Sequence, residues 1–185
     1  PASLAFPSMG FNTGKWYWEI TVGTINNTNL FPRYGIAAFD TGFDATTYPD
    51  SLTSEFFATN DGTYGGRVRS YGSSFTGTYS AVNSNDVIGI AYNAATGAWW
   101  VAKNNTWYTG NPSTLTSPYV TLSNFVGLTV YPQIAERSSS SNVNFGQRPF
   151  TYTPPTGFVA LCAPNLATPT IKNGAGYMAA TTYTG

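Results

Sequence analysis

The sequence predicts an all-β fold, a two-sheet antiparallel β-sandwich of jelly-roll type. Three observations lead there. Short runs of β-branched and aromatic residues recur, punctuated by Gly, Pro, Asn and Asp at intervals of roughly 8 to 12 residues. Helical periodicity is hard to find between those runs, and strands without intervening helices pack as antiparallel sheets. Charged residues are only 9% of the chain, and Ser, Thr, Asn, Gly and Tyr, the residues of turns and strands, take their place.

The elements follow in order. In WYWEITV, Trp16, Trp18, Ile20 and Val22 fall on one face of a strand, and Tyr17, Glu19 and Thr21 on the other. Further strands are predicted over 33–39 (RYGIAAF), 55–59 (EFFAT), 87–93 (VIGIAYN), 98–103 (AWWVAK), 125–135 (FVGLTVYPQIA), 141–146 (SNVNFG) and 157–162 (GFVALC). NAATG at 93–97 ends on a glycine suited to a left-handed position, the pattern of a hairpin carrying a bulge. KNNT at 103–106 reads as a second tight turn, because asparagine tolerates positive φ. Segments 23–32, 40–54 and 61–80 are long, polar and dotted with aromatics. Connections of that length on a rigid sandwich tend to carry function. Residues 1–162 form the sandwich domain, and the Ala-, Thr- and Gly-rich 163–185 reads as a linker or extended strap.

Composition excludes several functions. A chain of 185 residues is one domain by length, and folding removes roughly 70% of its unfolded surface from water without staples. Formal net charge is zero and the basic residues are scattered singly, so the footprint of a nucleic-acid binder is missing. No apolar run approaches the roughly 18 residues of a membrane span. Cys162 is the only cysteine, which leaves no intrachain disulfide and no cysteine-based zinc site. Histidine is absent, removing the commonest general base and metal ligand. The start at Pro1, with no initiator methionine, suggests a processed product or part of something longer.

Catalysis is not expected. Glycoside hydrolysis, the obvious chemistry for a jelly roll, needs two carboxylates roughly 5 to 9 Å apart. The acids Glu19, Asp40, Asp44, Asp50, Glu55, Asp61, Asp86 and Glu136 contain no alternate-residue pair that a strand would bring together. Asp40 and Asp44 sit in a Gly-containing loop where turn capping accounts for them. The same DTGFD segment could offer calcium two carboxylates, short of its usual set of about six to eight oxygens. No metal and no cofactor is expected. Asn26 and Asn104 open glycosylation sequons, a pattern that arises by chance in an Asn- and Thr-rich chain.

Aromatic residues in or beside the loops are the better lead: Phe31, Tyr48, Tyr64, Tyr71, Phe75, Tyr79, Trp107 and Tyr108. With Arg67, Arg69 and Arg137 they supply the residue types enriched at binding hot spots. The candidate contact set is Tyr48, Tyr64, Arg67, Arg69, Tyr71, Trp107 and Arg137. Three uses stay open for the rings: packing their own loops onto the sandwich, stacking on sugars, or contacting a protein.

Four ordered blocks, GKWYWEITV, RYGIAAFD, NDVIGIAYNAATGAWWVAKNN and VYPQIAERSSSSNVNFGQRPFTYTPPTGFVAL, resemble the SPRY domain family over residues from about 12 to 161. The resemblance implies two packed, curved antiparallel sheets, with Trp16, Trp18, Ile20, Ile88, Ile90 and Phe145 in the core and Glu19 as a structural carboxylate near a turn. It also implies a non-catalytic recognition module that binds protein partners through loops at one edge. The ending FVALCAPNLATPTIKNGAGYMAATTYTG is similar to segments that follow such domains in bacteriophage tail and other virion proteins. That implies a virion setting, folded in the host cytoplasm and extracellular when assembled, with homo-oligomerisation within a particle and contacts to virion subunits or to a host surface glycan or protein. A lectin-like sugar binder, an intracellular adaptor for a short peptide and an inert structural decoration remain alternatives.

Overall fold

The computed structural model describes residues 2–5, 7–25, 32–38, 54–60, 65–69, 80–137 and 139–166. Twelve strands are present among them: β1 (Ala2–Ala5), β2 (Lys15–Ile25), β3 (Arg33–Ala38), β4 (Ser54–Asn60), β5 (Gly65–Arg69), β6 (Val87–Asn93), β7 (Ala98–Lys103), β8 (Thr106–Trp107), β9 (Val120–Thr121), β10 (Val130–Arg137), β11 (Ser139–Asn144) and β12 (Val159–Ala160). They form a five-stranded sheet in the order β1-β10-β3-β4-β5 and a seven-stranded sheet built on β11-β2-β6-β7-β8, with β12 beside β2 and β9 beside β7. All pairings are antiparallel except β12 with β2. Among the described residues the only helical pieces are three short 3-10 turns, and no helix is long and apolar enough to cross a membrane.

The expected strands over 87–93 and 98–103 are found at those bounds, and those over 16–22, 33–39 and 55–59 shift by a few residues at their ends. The alternation in WYWEITV places Trp16, Trp18, Ile20 and Val22 in the core between the sheets. Trp18, Ile20, Ile88 and Ile90 are fully buried there with Tyr34, Ile36, Tyr92 and Trp99. Each such side chain contributes about 1.5–3 kcal/mol on burial, so this cluster is the main stabilising element. Phe145 is partly buried against the same core.

Several expectations need correction. Residues 65–69 were expected within a long loop but form β5, held by pairing to β4. Ser54 likewise begins β4 rather than ending a loop. The expected strand over 125–135 begins only at Val130: a 3-10 turn occupies Ser123–Phe125, and Gly127 at φ 84° turns the chain before it enters the sheet. The expected strand over 157–162 reduces to Val159–Ala160. The 93–97 connection closes without a bulge, since the ladder pairs Asn93 with Ala98 and continues in register. Gly97 does take the left-handed conformation, φ 71°. There the space for a Cβ is filled by the Leu122 carbonyl. The KNNT turn forms as expected, with Asn104 and Asn105 at φ 48° and 66°. Of the segment 163–185, Ala163–Asn165 form a 3-10 turn and Leu166 packs against the core, while 167–185 lie outside the described residues.

Candidate functional site

Glu19 is 2% exposed in the middle of β2, on the side facing away from the main core. Its Oε1 accepts from the Tyr17 hydroxyl at 3.0 Å and from the Tyr152 N–H at 2.8 Å, and its Oε2 accepts from the Thr151 N–H at 2.7 Å. The local cause is the run after β11, which crosses the outer side of β2 before β12 joins it. That crossing needs its backbone N–H groups satisfied, and a buried carboxylate satisfies two. Burial first, and then the adjacent carboxylate, push the Tyr17 hydroxyl well above its ordinary pKa. Glu19 is thus a structural anchor beside a turn, as expected.

Asp86 is spent in a similar way. Its carboxylate accepts from the Asn83 N–H at 2.8 Å and the Asn104 side-chain amide at 2.6 Å, and it lies 3.7 Å from the Lys103 ammonium. Asn104 in turn accepts from the Val87 N–H at 2.8 Å. These contacts lock the KNNT turn against the start of β6. Among the described residues no three His, Cys, Asp or Glu side chains come together as a metal site. The DTGFD segment lies outside the described residues.

The candidate contact residues divide into three groups. Tyr48, Tyr64 and Tyr71 lie outside the described residues, as do Phe31, Phe75 and Tyr79. Arg67 and Arg69 are on β5 and Arg137 is on β10, strand positions rather than loop positions. Trp107 and Tyr108 are described, and neither ring is fully exposed. Trp107 packs half-buried against a second cluster of Tyr17, Ala91, Ala98, Trp100 and Phe158, on the outer side of the seven-stranded sheet. Tyr108 packs half-buried against the main core and its hydroxyl donates to the Ser80 carbonyl at 3.1 Å. Burial, the larger effect, pushes the Tyr108 hydroxyl up to about 12. The tight turn folds β8 directly onto β7, which is why these two rings are drawn in.

Register gives the three arginine positions one parity. Ala135 pairs with Arg33, Arg33 with Ala58 and Ala58 with Arg67, while Phe56 pairs with Arg69 and Ala2 with Arg137. Directly paired residues share a face and positions two apart repeat it. Arg33, Arg67, Arg69 and Arg137 therefore occupy one face of the five-stranded sheet. Ile134, Tyr34 and Ile36 hold the opposite parity and lie in the main core. Gln133, opposite Gly35, is on that face too. Arg33 and Gln133, which the sequence reading did not single out, share that parity. The period-2 alternation of 33–38 and 130–137 was the signal that could have found them.

The architecture is that of a SPRY domain. The chain is similar to the SPRY domain of human HERC1, with a TM-score of 0.58 and 14% identity over 80% of this chain and 85% of that one. A second human SPRY domain matches with a TM-score of 0.55 and 12% identity, over 80% and 87% of the two chains. Stonustoxin matches with a TM-score of 0.52 and 15% identity, over 76% of this chain and 21% of the toxin chain. No protein-family model and no curated protein matches the sequence. At these identities the likeness establishes the fold.

Proposed function

We propose that this chain is a non-catalytic recognition module of a bacteriophage virion protein, in a tail, a fibre or the capsid surface. It contacts neighbouring virion subunits or a host surface molecule through the five-stranded sheet and its connections. The observation that carries the recognition reading is the SPRY-like sandwich itself, with positions 67, 69 and 137 at one register parity of its five-stranded sheet. Arginine is the cation suited to bidentate, specific contacts. The connections 26–31, 39–53 and 70–79, which carry Tyr48 and Tyr71, all adjoin strands of this sheet. The virion setting is supported by the resemblance of the C-terminal segment to phage proteins and by the low charge, which suits direct contact more than long-range steering.

The test is saturable binding of the fluorescently labelled chain to host cells and to purified virions, with the Tyr48→Ala/Tyr71→Ala variant beside it. The reading expects binding to one of the two, lost in the variant at unchanged melting temperature. Absence of saturable binding to both overturns it. A second reading, an adaptor domain that binds a short peptide inside a cell, is favoured by the likeness to two human SPRY domains. It expects silence toward cells and virions and a peptide ligand of micromolar affinity.

A further inference from the structure

Positive φ is taken by asparagine or glycine almost everywhere in this chain. Among the described residues Asn85, Asn104, Asn105 and six glycines adopt it, and the two exceptions, Leu115 at φ 57° and Ser117 at φ 43°, lie two positions apart. A leucine is disfavoured there, because its Cβ crowds the following carbonyl oxygen, whereas glycine and asparagine are tolerated. Leu115 ends the 3-10 turn Pro112–Thr114 in the left-handed conformation, a place that ordinarily goes to glycine or asparagine.

Burial does not account for the leucine, which is 43% exposed. The backbone around it is firmly held. Asn111 and Thr116 exchange two hydrogen bonds of 3.1 Å, and the Leu115 N–H donates to the Pro112 carbonyl at 3.1 Å. The Ser113 N–H donates to the Asn111 Oδ1 at 2.9 Å. Two further bonds fasten this small hairpin to the sandwich. The Trp100 Nε1–H donates to the Thr116 carbonyl at 3.0 Å, and the Thr156 N–H donates to the Ser113 Oγ at 3.0 Å. An apolar tip held rigidly in solvent, in a conformation that folding alone would give to another residue, is the pattern of a preorganised contact.

Charge indicates what meets the tip. No Asp, Glu, Lys or Arg occurs from 104 to 135, which contains the hairpin, nor from 149 to 166, which supplies Thr156 beside it. A partner that brought a charge here would bury it unpaired. A second copy brings none. Related by a two-fold axis, two such hairpins face each other with no like charges opposed, in a chain whose formal net charge is zero. Depletion of charge is also the composition of interface cores between like subunits. We propose that residues 111–117 form a self-association contact, in which the Leu115 side chains of two copies pack together about a two-fold axis. The contact is small, so the dimer is weak and reversible. It lies beside the seven-stranded sheet and stands apart from recognition through the five-stranded one.

The test is sedimentation equilibrium of the full chain from about 10 µM to about 1 mM, a span that brackets weak association. The expected result is a monomer–dimer equilibrium whose constant changes less than about twofold between low salt and about 0.5 M salt, since no exposed charge pair contributes. Leu115→Asn lowers the association constant about tenfold or more. Its melting temperature equals or exceeds that of the parent, because asparagine tolerates the left-handed conformation. A leucine kept for folding would instead lower the melting temperature when replaced. Leu115→Asp leaves the chain monomeric throughout, by opposing two like charges across the axis. Tyr48→Ala/Tyr71→Ala dimerises as the parent does. A parent that stays monomeric at about 1 mM overturns the proposal. A dimer indifferent to both Leu115 variants, a dimer that salt dissolves, or a lowered melting temperature in Leu115→Asn does the same. A monomeric parent whose binding to cells or virions is lost in Leu115→Asn also overturns it, by making another protein the occupant. Dimerisation as expected, with silence toward cells and virions, supports the contact and sinks the recognition reading alone.

Discussion

Replacing Glu19 by glutamine is the most informative single change to the scaffold, because it keeps the shape and removes the charge. The carboxylate accepts three hydrogen bonds in a position 2% exposed to solvent. A hydrogen bond to a charged group contributes about 1.5–3 kcal/mol and a neutral one about 0.5–1.5. In Glu19→Gln the amide oxygen keeps the Tyr17 and Tyr152 donors as neutral bonds, a loss of about 1 kcal/mol each. The amide nitrogen then faces the Thr151 N–H, donor against donor, which leaves a buried group unsatisfied at about 1–3 kcal/mol. Relief from holding a charge out of water offsets part of this. The net expectation is a loss of about 2–4 kcal/mol, or roughly 5–15 °C in melting temperature for a domain of this size. Denaturant unfolding at neutral pH, followed by tryptophan fluorescence, measures it. A change below about 0.5 kcal/mol would refute the view that Glu19 fastens the 144–158 crossing to β2.

Gly97→Ala should cost about 2–3 kcal/mol in the same assay, since residue 97 is at φ 71° and an added Cβ meets the Leu122 carbonyl; a neutral substitution would contradict that geometry. Trp107→Ala should lower stability by about 2 kcal/mol or more, because the ring covers the Tyr17–Trp100–Phe158 cluster. Unchanged stability with lost partner binding would instead make Trp107 a contact residue. Tyr108 sets an alkaline limit. Its folded-state pKa, about 12, lies above the ordinary 10.0, so its contribution is full below pH 10 and is lost as pH rises toward 12. Tyr108→Phe should therefore lose less stability than the parent between urea midpoints at about pH 9 and pH 11; parallel losses would contradict burial of the hydroxyl.

Much of the fold was legible because β6 and β7 are continuous apolar runs bounded by Asn, Asp and Gly, and their ends coincide with the ends of the runs. The two-faced pattern of β2 was equally plain. β5 was not, since GGRVR has two glycines and a single β-branched residue. Its strand character comes from pairing to β4, a tertiary effect that local propensity does not carry. The late start of β10 was hidden for the opposite reason: FVGLTV looks like a strand, and Gly127 at φ 84° breaks it. At the candidate site the types of residue were legible and their placement was not. Arg67, Arg69 and Arg137 are 70 positions apart at most in sequence, and only the β1-β10-β3-β4-β5 order puts them on one face with Arg33 and Gln133. Trp107 and Tyr108 looked like loop aromatics because the turn before them is polar. That turn is tight enough to press both rings onto the sandwich.

The most direct measurement of the central claim is site-specific photo-crosslinking in the assembled particle or cell that carries the chain. A benzophenone side chain is placed at Tyr71, beyond the end of β5, and in a separate preparation at Asn124, in the turn that leads away from β9. The account predicts one discrete protein adduct from position 71 and none from position 124. Adducts from both positions alike, or from 124 alone, would contradict recognition through the five-stranded sheet and its connections.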